Sequence, residues 1–375
     1  MVIFIIIFSF LFILYGLLIH YYRTAWNAIP EYTGTQAATV KISVIVAVRN
    51  EEKNITALLN SLFNQDYPKS LFEVIIINDH STDHTGQIVN DFISFDKSNL
   101  LFINLKENIT SKKSAIKEGI NNATGELIVT TDADCTMKVS WLSTIASYYR
   151  STNAQFIAAP VLMDTSKTFI GIFQSLDFLT LQGITGASVF RRFHTMCNGA
   201  NLAYTKKAFE EVNGFEGIDS IPSGDDMLLM HKIYARYPQQ VHYLKSKLAF
   251  VSTRPEASWR GFLHQRIRWA SKSAHYKDRR IFYILLLTYL INAGMFLLAV
   301  VSFIGPNGLA MVLLFLLAKI LIEFPFVNAV AIYFNQNKLM RWFPLLQPVH
   351  IIYILVAGWL GKFGSYKWKS RTVKT

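Results

Sequence analysis

Long apolar runs occupy both ends of the chain, and between them short apolar runs alternate with amphipathic stretches. Residues 2–19 carry no charge and are long enough to cross a hydrocarbon core once. No basic segment precedes them and no small-x-small site follows, so they predict an anchor rather than a cleaved leader. Towards the other end, 281–304, 308–334 and 343–361 are apolar, and Gly305-Pro306-Asn307 parts the first two, each long enough to span. In the middle one, Lys319 and Glu323 stand four apart and can pair on one helix face, which lowers the cost of burial in lipid. Pro344 and Pro348 make the last stretch a candidate for a re-entrant or interfacial segment.

The interior has a different rhythm. Ile42-Ser-Val-Ile-Val-Ala-Val48 predicts a buried strand, with Asn50 as the cap of a helix whose Ile55, Leu58, Leu59, Leu62 and Phe63 share one face. Val74-Ile-Ile-Ile77 predicts a second strand running into the turn Asn78-Asp-His-Ser-Thr-Asp83. A helix face at Ile88, Val89, Phe92 and Ile93, a strand over 100–103 and a helix over 112–121 follow, then a fourth strand at Leu127-Ile-Val-Thr130. Four such alternations predict an α/β domain with a mostly parallel, doubly wound sheet. Beyond it, 141–149 reads as a helix and 155–161 as a strand. Residues 168–190 are apolar and aromatic but interrupted by Asp177 and Gln182, which suits a helix at a membrane interface or one in a core.

With 375 residues, 51% of them hydrophobic, the chain can hold two soluble domains or one domain plus spans, and the uneven distribution favours the second. Basic residues crowd ahead of the 281–304 stretch: Arg254, Arg260, Arg266, Arg268, Lys272, Lys277, Arg279 and Arg280. With Arg23 after the first span, they place the central region on the cytoplasmic side, against anionic lipid. The cluster matches no nucleic-acid-binding motif, so nucleic acid is not expected as a partner. Cys135 and Cys197 are too few for a disulfide framework, and two free thiols are expected.

The fourth strand ends on Asp132 and Asp134, two apart, where ligands gather in open α/β sheets. Two hard oxygen donors there suit Mg²⁺ or Mn²⁺ carrying a diphosphate. Asp79 ends the second strand on the same edge, where a carboxylate can accept the imide N–H of a uracil ring or simply cap its turn. Lys112 and Lys113 can neutralise a diphosphate. Asp225 and Asp226 begin a helix predicted over 227–234, and one of them can act as general base towards a hydroxyl or serve as a plain cap. In Gln265-Arg-Ile-Arg-Trp269, Arg268 can offset charge on a leaving diphosphate and Trp269 can cover an acceptor ring or lipid. His80 and His84 are four apart, with no third zinc ligand nearby.

Taken in order, Asp79, Asp132-Ala-Asp134, Asp226 and Gln265-x-x-Arg268-Trp269 resemble the D, D-x-D, D, Q-x-x-R-W signature of inverting family 2 glycosyltransferases with a GT-A fold. Val46-Ala-Val-Arg-Asn-Glu-Glu52, Asn198-Gly-Ala-Asn201 and Asn213-Gly-Phe215 are similar to further segments of that family. The likeness covers about 40–275. It implies that Asp79 contacts the base, Lys112 the diphosphate, Asp132 the nucleotide and Asp134 the metal. It makes Asp226 the base, with Gln265, Arg268 and Trp269 closing over donor and acceptor. Asn78 and His80 stand where the family usually has Asp and Gly, and Asp225 where Glu is common.

The expected plan is a transmembrane helix over 1–23, a linker over 24–40, a GT-A domain over 41–255 and an amphipathic interface helix over 256–280. A membrane region of two or three spans over 281–361 and a basic tail over 362–375 complete it. The expected activity is transfer of a sugar, UDP-linked by preference, to a hydroxyl of a lipid or lipid-linked acceptor at the cytoplasmic membrane face. A processive polysaccharide synthase is the alternative, and a non-catalytic nucleotide- or lipid-binding scaffold the reading from another class. An outside N-terminus with three further crossings would put Lys362, Lys367, Lys369, Arg371 and Lys374 outside, against the charge rule, so a cytoplasmic tail is expected.

Overall fold

A computed structural model describes residues 2–374 apart from 35–38, 95–98, 165–166, 222, 273–275, 277, 303–307 and 369–370, with backbone only for 366–368 and 371–374. Lys277, the Gly305-Pro306-Asn307 turn and Lys369 therefore lie outside the described residues.

The chain opens with helix α1 (Val2–Ala28), which ends five residues beyond the expected anchor. Three strand–helix units follow: β1 (Ile42–Val48) with α2 (Ile55–Phe63), β2 (Phe72–Asn78) with α3 (Thr85–Ile93), and β3 (Leu100–Asn104) with α4 (Lys112–Asn122). Then come β4 (Leu127–Thr130), β5 (Thr136–Met137), α5 (Trp141–Thr152), β6 (Phe156–Ala158), β7 (Val161–Met163) and α6 (Phe169–Phe190). The chain continues through β8 (Leu202–Thr205), α7 (Lys206–Glu211), α8 (Met227–Arg236), β9 (Val241–Tyr243) and β10 (Val251–Thr253). The last third is helical, with α9 (Trp259–Ser271), α10 (Arg279–Val301), α11 (Gly308–Tyr333) and α12 (Phe343–Phe363), and closes on a hairpin of β11 (Ser365–Trp368) and β12 (Arg371–Lys374).

Contacts divide these elements into two units. One holds Ile29–Asp164 and Thr195–Arg254; the other holds Met1–Ala28, Thr165–His194 and Pro255–Thr375. In the first, a seven-stranded sheet among the described residues runs β3-β2-β1-β4-β8-β6-β9. The β3-β2-β1-β4 half is parallel, as continuous burial of Ile42, Val44, Ile45 and Val46 on both faces requires. β8 enters antiparallel to both β4 and β6. The fold is α/β with a mostly parallel sheet. The stretch expected as one strand over 155–161 is two, β6 in this sheet and β7 in a three-stranded one with β5 and β10, broken at Ala159-Pro160 because proline cannot donate to a ladder.

In the second unit, α6 packs on α1 and α11. This corrects the plan that kept 41–255 as one uninterrupted domain. Asp177 and Gln182, which argued against a span, are buried within the helical unit and make α6 a core helix of it. The i,i+4 pair of α11 forms: Lys319 Nζ lies 2.6 Å from Glu323 Oε1. Tyr15 of α1 donates to the same carboxylate, and the Gln347 amide of α12 bridges Lys319 (2.7 Å) and Glu323 (2.9 Å). Among the described residues four helices, at Val2–Ala28, Arg279–Val301, Gly308–Tyr333 and Asn337–Phe363, are long and apolar enough to cross a membrane.

Candidate active site

The parallel strands β1, β2 and β4 end on one edge of the sheet, and the loops leaving them carry the chemistry. Val48 is in register with Asn78. The next residues bind across the gap: Asp79 N–H donates to Val48 O (2.8 Å), and the Arg49 guanidinium donates to Asp79 O (2.9 Å) and lies 3.6 Å from its carboxylate. Asn50 does not cap α2, whose N-cap is Asn54 with no side-chain capping bond. Asn50 instead sits in the left-handed region (φ 54°), where Asn is tolerated, and its Oδ1 accepts the Thr82 N–H at 2.8 Å. His80 is left-handed too (φ 57°), which gives a backbone reason for glycine at that place, and its Nε2 meets Ile109 O at 2.9 Å.

Asp79 is buried, and Thr110 Oγ1 donates to its Oδ1 at 2.9 Å. Next in the chain, Ser111 caps α4 and Lys112 opens it. The Lys112 ammonium lies 2.6 Å from Asp132 and 3.0 Å from Asp225. Burial works against its charge, but Asp132, Asp225 and Asp226 outweigh burial and raise its pKa above the ordinary lysine value. A methyl group added at Gly199 would stand 3.4 Å from Lys112 Nζ and 3.5 Å from Asp226 Oδ2, which brings the 198–201 segment to the same place. Asn201 is held there by Trp141, whose indole N–H donates to Asn201 Oδ1 (2.9 Å), and by Asn201's own bonds to Pro160 O and Ala249 O.

Asp226 precedes α8, and its Oδ1 accepts the Met227 N–H at 2.7 Å, while Asp225 is the closer partner of Lys112. Gly224 makes the turn at φ 87°. Lys113, expected beside Lys112 to neutralise a diphosphate, does something else. It is buried, and its ammonium donates to the carbonyls of Ile218, Ile221 (2.6 Å) and Ser223 (3.0 Å), fastening the loop that delivers Asp225 and Asp226. Its role was hidden because the three acceptors are backbone carbonyls more than a hundred residues away.

Asp134 faces the surface, where solvent screens it. Crowding by surrounding protein, then the carboxylates of Asp132 and Glu51, push its carboxyl up to about 6. That surplus of negative charge is what a divalent ion relieves. Among the described residues no group of three or more His, Cys, Asp or Glu could cage a metal. A donor set of one or two carboxylates fits an ion of the Mg²⁺ kind, which keeps waters and takes its remaining ligands from substrate phosphates. Cys135 and Cys197 are both buried and free.

Gln265, Arg268 and Trp269 lie on α9, in the helical unit. The residue that organises this segment is Arg266, to which sequence reasoning gave no role beyond its charge. It is buried against Asp177 of α6, with Nε 2.9 Å from Asp177 Oδ2 and Nη2 2.6 Å from the same oxygen, close enough for an ion pair though not aligned as a hydrogen bond. Its Nη1 donates to Gln265 Oε1 at 2.9 Å, and its guanidinium stacks 4.1 Å from the Trp269 ring and 4.8 Å from Phe262.

Residues 43–212 match the family model described as Glycosyl transferase family 2. Over 256 residues the chain is 25% identical to the probable glycosyltransferase YdaM of Bacillus subtilis (strain 168), a match covering 67% of this chain and 59% of that protein. It is 25% identical over 232 residues to the poly-β-1,6-N-acetyl-D-glucosamine synthase of Staphylococcus epidermidis, covering 61% of this chain and 53% of that one. The chain thus spans little more than half the length of these relatives. Among solved structures it resembles the mannosyltransferase PcManGT from Pyrobaculum calidifontis in complex with GDP-Man and Mn²⁺, with a TM-score of 0.65, 19% identity, and coverage of 96% of this chain and 97% of that one.

Proposed function

We infer that the chain, whose residues 43–212 match the Glycosyl transferase family 2 model, moves a sugar from a nucleotide sugar, UDP-linked by preference, to a hydroxyl of a lipid or lipid-linked acceptor at the cytoplasmic membrane face. The observation that carries this reading is the Lys112 ammonium bracketed by Asp132 and Asp225, with Asp226 alongside. It supports a pocket at one sheet edge in which a cation balances carboxylates from distant segments, the balance a diphosphate can enter by exchange.

In the proposed reaction Asp79 accepts the imide N–H of the base, and Lys112 turns from the carboxylates to the diphosphate. Asp226 takes the acceptor proton. The hydroxyl oxygen attacks the anomeric carbon opposite the diphosphate, the bond to the diphosphate breaks, and configuration inverts. Gln265, Arg268 and Trp269 act on donor and acceptor, as the family resemblance implies. A Mg²⁺ or Mn²⁺ held by Asp134, with Asp132 beside it, supplies charge stabilisation for the departing diphosphate when bound. Most of the acceleration then comes from positioning and electrostatics.

The test is a screen of UDP- and GDP-sugars with purified chain, divalent ion and a lipid-linked sugar acceptor that carries free hydroxyls, following release of nucleoside diphosphate. Asp226→Asn is expected to lower turnover by roughly 10²–10⁴-fold while nucleotide still binds; undiminished turnover would overturn the assignment. Similarity to a polymer synthase favours a second reading, repeated addition to a growing glycan. Product length from one labelled donor separates single from repeated transfer.

A further inference from the structure

We propose that α12, long and apolar enough to cross a membrane, does not cross it. It lies along the plane of one leaflet and returns the C-terminal hairpin to the side on which α10 begins. The helical unit carries its own ruler for this. α1 and α11 run side by side in the same direction: Phe8 and Phe12 pack on Phe315 (5.0 and 5.1 Å between ring centroids), Gly16 on Ile322, Tyr22 on Phe326 (6.1 Å) and Trp26 on Phe334 (6.4 Å). α10 runs the opposite way, with Gly294 against Phe8. Val2, Val301 and Gly308 therefore share one side, and Ala28, Arg279 and Tyr333 the other.

Against that ruler both ends of α12 sit at the same depth. The Phe343 ring is 6.0 Å from Phe324, and Gln347 bonds Lys319 and Glu323, all well inside α11 from its Tyr333 end. Later in the helix, Gly358 abuts Tyr289, well inside α10 from its Arg279 end. At 1.5 Å per residue these contacts put Phe343, Gln347 and Gly358 at depths of about 14, about 15–21 and about 15 Å, whereas a crossing helix would change depth by about 22 Å between Phe343 and Gly358.

Two further contacts agree. Tyr353 meets Phe262 at 5.2 Å, and Gly361 lies against Ala270, so α12 runs alongside α9 in the same direction. α9 ends only a few residues before α10 begins, and β11 packs against α9. The other face of α12 exposes Leu345, Ile352, Val356, Trp359, Leu360 and Phe363, an apolar stripe continuous in kind with those of the spanning helices. Its occupant is the acyl layer of a single leaflet. The buried bridge from Gln347 to the Lys319–Glu323 pair is the lock, because at that depth no water can satisfy any of the three. This puts the end of α12 and the hairpin backbone on the Arg279 side of the helical unit, in line with the charge rule.

Two measurements on the full chain in membranes decide it. Cysteines placed singly at Val2, Lys338 and Ser365 in sealed vesicles are treated with a membrane-impermeant maleimide, the parent chain giving the background. Lys338→Cys and Ser365→Cys are expected to react from one side and Val2→Cys from the other; reaction of Ser365→Cys from the Val2 side overturns the proposal. Nitroxides at the lipid-facing positions Leu345, Ile352, Trp359 and Phe363 leave packing untouched. Their depths are expected to agree within about one helical turn, ~5 Å, whereas a steady change approaching about 27 Å from Leu345 to Phe363 shows a crossing helix and refutes it.

Discussion

Replacing Arg266 by methionine leaves the Asp177 carboxylate enclosed without its cation. Both side chains are almost wholly out of solvent, at 2% and 6% exposure, and the carboxylate holds Arg266 in contact through Nε and Nη2. Removing one partner of such a pair costs about 3–5 kcal/mol, most of it the penalty of a stranded charge. Loss of the 4.1 Å stack on Trp269 adds to it. At roughly 2–4 °C per kcal/mol, the apparent melting midpoint of detergent-solubilised protein falls by about 6–20 °C. The double variant Asp177→Leu/Arg266→Met removes both charges at similar volume and is expected to recover most of that loss. Thermal unfolding of the parent, the two single variants and the double closes the cycle. Single effects below about 1 kcal/mol, or effects that simply add, would refute the claim that this pair holds α9 to α6.

Lys113→Met removes three carbonyl bonds from the 218–223 loop, and a displaced Asp225-Asp226 pair should cost turnover on the order of 10²-fold with a smaller change in melting midpoint. Equal turnover would show that the loop holds without it. Asp134 sets a pH dependence whose sign follows from its raised carboxyl. Without a divalent ion, the acid form is favoured in the fold, so its contribution to stability is present below the ordinary Asp range and is lost as pH rises through about 6. Mn²⁺ binding with nucleoside diphosphate should therefore strengthen as pH rises through about 6 and release a proton below it, read by calorimetry in buffers of different ionisation enthalpy. A flat profile rules Asp134 out as the ligand. Gln347→Leu strands the Lys319–Glu323 pair without its bridge and should destabilise the helical unit by about 1–3 kcal/mol; an unchanged midpoint would contradict the lock.

Local pattern was enough for much that depends on near neighbours in the chain, though not for Asn50, which it made the cap of α2. Unbroken apolar strands announced the parallel sheet, and the shared edge of such strands led to the expectation that Asp79, Asp132 and Asp134 share one cleft; in the structure Thr110 meets Asp79 and Lys112 meets Asp132. The i,i+4 spacing of Lys319 and Glu323 announced their pair, because a helix makes those positions adjacent. Tertiary structure alone decided the rest. Lys112 and Lys113 are indistinguishable as sequence, yet a helix turns successive side chains about 100° apart, so one faces carboxylates and the other a loop's carbonyls. Arg266 and Asp177 become partners only when α6 leaves the sheet and packs among helices. For α12 the sequence offered only Pro344, Pro348 and the basic tail as pointers away from a span: hydropathy records how apolar a helix is, whereas in the course proposed above its tilt is set by the neighbours that satisfy Gln347.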